Sequence, residues 1–143
     1  LTRPEAIRFI ATYPRAIISV SLAREISNAL GIVFDMLLYI APDLVRSLHG
    51  RVGWTVYLTG APSDLVQVSD LGATVCRYMG LYADGDHALQ SPHGTPGKQA
   101  DYVGQRAAIR LARHWWGEPG VRDLRQDCPR LPKVLLRERP YKP

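Results

Sequence analysis

The sequence predicts a mainly α-helical fold with a small β-hairpin. Apolar residues recur at helical spacing in several separate stretches, and β-branched or aromatic runs are confined to a few short segments. Glycine and proline punctuate the boundaries between them. With 143 residues, 46% hydrophobic and 22% charged, the chain has an ordinary globular balance. It is long enough to bury roughly two-thirds of the surface its unfolded form exposes.

The first helix is announced by a capping box. Thr2 is placed to accept from the amide of Glu5, and Glu5 to reach back to the amide of Thr2. Pro4 is tolerated in the first turn, Ala6, Ile7, Phe9 and Ile10 supply an apolar face, and Pro14 ends the helix. In "RAIISVS", Ile18 and Val20 alternate with serines, which reads as a short strand. Ser21 then precedes Leu22, Ile26, Ala29 and Leu30, the pattern of a capped, one-faced helix. Gly31 stands where a helix stops in a left-handed conformation. A further helix is expected from Ile32, carrying Val33, Met36, Leu37, Ile40 and Ala41 as far as Pro42.

Beyond Gly53 the pattern becomes strand-like. "WTVYL" (54–58), the turn residues "TGAPSD" and "LVQV" (65–68) suggest a hairpin, after which Ser69 would cap a helix through Met79. A single longer helix starting at Ser63 fits the same residues. Residues 82–97 read as a loop, and Lys98–Trp116 has the strongest helical pattern in the chain. Gly117, Pro119 and Gly120 are expected to terminate that helix and leave an extended tail, which contains five of the eleven prolines.

The order helix, strand, helix, turn, helix, hairpin, with "SLAREISNALGI" at its centre, resembles a winged helix-turn-helix domain. The residues that carry the resemblance are Ile26, the small Ser27, Gly31 four positions later and Ile32 beyond the turn. A small residue lets two helices cross closely, a glycine permits the tight turn, and apolar groups fill the corner. The resemblance covers about residues 3–70, and the chain is expected to divide into a winged-helix-like module over 1–81, the loop 82–97, a basic helix 98–117 and a proline- and arginine-rich arm 118–143. The resemblance also implies a DNA-binding third helix, and here the sequence departs from the pattern. Asp35 would repel phosphate, while Phe34, Leu38 and Tyr39 offer a base edge no hydrogen-bond donor suited to reading it. An apolar third helix suits a protein partner, as winged helices also serve as interaction modules.

The charge is placed unevenly. Residues 1–97 are net −1 with no lysine, and residues 98–143 are net +6, which points to a polyanion or an acidic protein surface. On the basic helix, Arg106, Arg110 and Arg113 are spaced i, i+4 and i+7 and project as one ridge. One flank carries Ala100, Val103, Gly104, Ala107, Leu111 and Trp115, small enough in places for a close helix contact. The other carries Tyr102, Ile109 and Trp116. Guanidinium forks suit phosphate oxygens, so the ridge is the first candidate for nucleic-acid binding, with Arg24, Arg46 and Arg51 as a second cluster. In the tail, Val134, Leu135 and Leu136 are candidates for contact with another subunit, together with Phe34, Leu38 and Tyr39.

No catalytic constellation is visible. "SPHGTPGKQ" fails as a phosphate loop: Pro92 stands where a glycine is needed, and Gln99 where a hydroxyl should hold magnesium. Asp84, Asp86, His87 and His93 share one loop without diagnostic ligand spacing. No cofactor, metal or catalytic residue is therefore expected. Cys76 and Cys128 match no redox or zinc spacing and suit free thiols in a reducing, intracellular compartment. The longest apolar run, Leu30–Ala41, is too short to span a bilayer. No signal-peptide pattern is visible, and Leu1 in place of methionine leaves N-terminal processing open. The expectation is a non-catalytic nucleic-acid-binding protein contacting the phosphate backbone. The alternative is a subunit of a larger assembly, docked through its third helix and C-terminal arm.

Overall fold

The computed structural model describes residues 1–45, 65–82, 96–129 and 131. Within them lie five helices and two short strands: α1 (Arg3–Thr12), β1 (Ile17–Ser19), α2 (Val20–Ala29), α3 (Phe34–Ile40), β2 (Leu65–Gln67), α4 (Val68–Tyr78) and α5 (Pro96–Asp127). The mainly helical expectation with a small β element is met. The expected strand 54–58, the loop 83–95 and the tail from 132 lie outside the described residues.

The capping box at α1 forms as read: the Glu5 amide donates to Thr2 Oγ1 at 3.2 Å and the Thr2 amide to Glu5 Oε1 at 2.9 Å. Hydrogen bonding from the Thr2 backbone first and the Thr2 side chain second holds the Glu5 carboxyl below its ordinary pKa. Ala6, Ile7, Ile10 and Ala11 form the buried face.

β1 pairs antiparallel with β2, Ile18 opposite Val66. The partner of 65–67 is thus the N-terminal strand, and each strand runs directly into a helix. This handover moves the cap of α2 from the expected Ser21 to Ser19. An N-cap needs extended backbone, and Ser19, the last residue of β1, has φ −68° and ψ 157° and accepts from the Leu22 amide at 3.2 Å. Ser21 is already inside the helix. The same handover starts α4 at Val68 with no side-chain cap; the Val68 and Ser69 amides instead donate to the carbonyls of Ala16 and Pro14. Strand plus helix is therefore the arrangement at 65–78, rather than one helix from Ser63.

The α2–α3 corner is a Schellman turn. Gly31 has φ 83°, the Ile32 amide donates to Ser27 O at 3.0 Å and the Gly31 amide to Asn28 O at 2.9 Å. Ser27 is buried and its hydroxyl donates to Ile32 O at 2.6 Å, so one small side chain closes the corner from inside. Because Ile32 is consumed by the turn, α3 begins at Phe34, two residues later than its apolar pattern suggests.

α4 and α5 form the centre. Nearly every residue from Val68 to Cys76 is buried, and α5 packs along both α4 and α1. The small flank of α5 makes this possible: a Cβ at Gly104 would lie 2.4 Å from Pro14 Cβ, a separation no side chain tolerates. Ala100, Val103, Ala107 and Leu111 are buried beside it.

Gly117 ends the first helix of α5, as the sequence predicts, but no extended tail follows directly. At φ 68° and ψ −160° it breaks the helical backbone, and the helix then resumes to Asp127. Pro119 falls in the first turn after the break, where its missing N–H interrupts no bond. Residues 118–127 are therefore helical rather than an extended arm. Val121, Leu124, Cys128 and Leu131 are buried, and Arg8 on α1 meets Asp127 at 3.3 Å.

Candidate interaction surface

The arginine ridge of α5 is largely internal. Arg106 is only 6% exposed, and its Nη1 donates to the Tyr102 hydroxyl at 3.2 Å. Arg110 lies 4.8 Å from the Tyr82 ring centroid and donates to Leu81 O at 3.2 Å, fastening the segment that follows α4. Arg113 forms a 2.6 Å ion pair with Glu118 across the bend. Burial rather than solvent exposure governs this side of α5, because Ala108, Ile109 and Ala112 flank the ridge and are themselves buried. The projection could not show that a neighbouring segment covers the arginines.

The same region holds the groups whose titration is most perturbed. Cys76 is buried, its Sγ lies 3.5 Å from Ala107 O, and desolvation pushes its thiol up to about 12. Tyr82 is likewise driven upward, by burial first and by Cys76 second. A thiol held protonated in this way is a poor nucleophile. Cys128 is also a free, buried thiol, 3.4 Å from Thr12 Oγ1.

Of the second cluster, Arg24 is exposed, 3.2 Å from Asp35 and 5.7 Å from the Phe34 ring centroid. The Asp35 charge is thus answered from within the chain. Arg46 and Arg51 lie outside the described residues, as do Val134, Leu135 and Leu136, and also Asp84, Asp86, His87 and His93. Among the described residues no group of acidic, histidine or cysteine side chains is placed to hold a metal. No described helix is long and apolar enough to cross a membrane.

The exposed face of α3 differs from expectation. Phe34 is buried with Leu37, Leu38 is half-buried, and of the three residues expected outside only Tyr39 is exposed. The outer face is instead Val33, Met36, Tyr39 and Ile40, with Val33 61% and Tyr39 83% exposed. Of the apolar pattern expected on this helix, Leu37 is buried while Val33, Met36 and Ile40 are exposed. In a seven-residue helix apolar on both sides, polarity does not select the buried face. The Schellman corner does, by fixing where the helix starts and which side meets Leu30 and Ile32.

The paired tryptophans separate in the same way. Trp115 is half-buried with the Arg3 guanidinium 3.6 Å from its ring centroid, and Arg3 Nε donates to Ala29 O, joining α1, α2 and α5. Trp116 is 41% exposed. Compared with known proteins, the chain matches no family model, and neither a curated protein nor a solved structure matches it.

Proposed function

We propose that the chain is a non-catalytic protein-interaction module of a larger assembly, docking through the outer face of α3 onto an apolar surface of a protein partner. The observation that carries this reading is the continuous exposure of Val33, Met36, Tyr39 and Ile40 on successive turns. Contiguous apolar exposure on a small domain marks an interaction site. Each large side chain removed from water contributes roughly 1.5–3 kcal/mol, enough in combination to offset a substantial part of the cost of association. The element order α1, β1, α2, α3, β2 and the Ser27–Ile32 corner support a winged-helix-like scaffold turned to this use. Phosphate binding by the arginine ridge has less support, since Arg106 is buried and Arg113 is engaged by Glu118.

The test is site-specific photocrosslinking in cells, with the crosslinker at position 39 and a control at the exposed Glu25 of α2. The expected result is one dominant protein adduct from position 39, weak from position 25 and lost on Met36→Asp. Equal, diffuse adducts from both positions would sink the α3 reading. Nucleic-acid retention that falls steeply with salt and is unchanged by Met36→Asp would move the function to backbone-charge binding.

A further inference from the structure

The bend in α5 creates a second feature, separate from α3. A groove of about 410 Å³ runs between the start of α1 and the part of α5 beyond Gly117. Its apolar lining includes Ile7, Trp116 and Leu124, and its polar edge includes Arg8, Asp123 and Asp127.

Gly120 lets the resumed helix pack closely against Trp116 at the groove wall. A Cβ at this position would lie 2.5 Å from Trp116 Cβ and 3.4 Å from its ring atom Cε3, so backbone alone borders the indole there. Positions 120, 123, 124 and 127 fall on one face of the resumed helix, which brings Asp123 and Asp127 to the groove beside Leu124. Arg8 bridges Asp127. Asp123 makes no ion pair with the described residues, so two carboxylates face one guanidinium and the edge is net negative. Arg122 and Arg125 are exposed on other faces of the helix and do not line the groove.

An apolar trough with a half-open indole and a surplus carboxylate suits an organic cation on an aliphatic stem. The stem lies along the exposed Pro4 and Trp116, above a floor of the buried Ile7 and Leu124, and the charge is met by Asp123. We propose that this groove is a binding site for a peptide segment of another protein that inserts a single arginine or lysine side chain flanked by apolar residues. The full 143-residue chain is titrated with acetyl-Leu-Arg-Leu-amide and with its neutral citrulline analogue. The readout is the Trp116 indole N–H resonance, assigned with Trp116→Phe. The arginine peptide should shift this resonance saturably and bind on the order of fivefold more tightly than the citrulline peptide. Asp123→Asn should leave the melting temperature unchanged and abolish the preference. No Trp116 shift at millimolar peptide, equal binding of the two peptides, or a preference that survives Asp123→Asn would each overturn the proposal. Met36→Asp on α3 should have no effect, so the two sites fail or stand independently.

Discussion

Gly31 and Gly117 both sit at the end of an apolar helical stretch with positive φ, 83° and 68°. After each a second helix follows, but α3 begins only at Phe34, three residues beyond Gly31, whereas helical backbone resumes directly after Gly117. The difference lies in what closes each junction. At Gly31 the buried Ser27 hydroxyl donates to Ile32 O and two backbone bonds complete a Schellman turn. At Gly117 the link is the Arg113–Glu118 ion pair, in which the Glu118 side chain is 59% exposed. A glycine at positive φ ends the helical backbone at both junctions, and the two differ in how far the bonds that close them are shielded from water.

This comparison can be broken most directly at the glycines. Gly117→Val should have the largest effect, on the order of 2–3 kcal/mol in urea denaturation. Its ψ of −160° lies in a region essentially closed to residues with a side chain, and Pro119 opposes relaxation to a straight helix. A loss below about 0.5 kcal/mol would mean that the bend is not held in this conformation. Gly31→Val should cost less but still more than about 1 kcal/mol, through the left-handed backbone. A Cβ there meets only Arg3 Nη2 at 3.5 Å, an ordinary contact. Gly31→Asn should recover most of that loss, since asparagine tolerates the left-handed region; equal melting of the valine and asparagine variants would remove the backbone argument.

Ser27→Ala sharpens the contrast between buried and exposed closure. It removes a buried 2.6 Å hydrogen bond and should cost about 1 kcal/mol. The smallest effect belongs to Arg113→Ala, below about 0.5 kcal/mol, because the ion pair it removes is partly in water. If Arg113→Ala destabilises as much as Ser27→Ala, the ion pair is structural and the distinction between the junctions fails.

What the sequence revealed was set by local rules. The capping box at Thr2, the left-handed Gly31 and the small flank of α5 depend on neighbours within one or two turns, and all appear as read. Errors arose where a distant contact decides. Ser19 caps α2 because β1 ends there, and β1 ends there because it pairs with 65–67. Phe34 turns inward because the corner sets the start of α3, and Arg110 is drawn inward by Leu81 and Tyr82, which lie outside its own helix. "GEPG" does terminate the first helix of α5, and what the sequence reading missed is the second helix that follows it. A proline one turn into a new helix is harmless, and that reading requires seeing the hydrophobic pattern resume at Val121 and Leu124.

The packing of α5 against α4 also governs the order in which the protein can be made. α4 is the most thoroughly buried helix in the described structure, yet the surface that covers it comes largely from residues synthesised later. At roughly 5–20 residues per second, translation from Tyr78 to Leu131 takes about 3–10 s. During that interval Leu71, Val75 and Cys76 have no α5 to pack against. The nascent chain therefore passes through a period in which the helix most buried in the native fold is exposed, and a chaperone that binds apolar segments would meet it there before the native core can close.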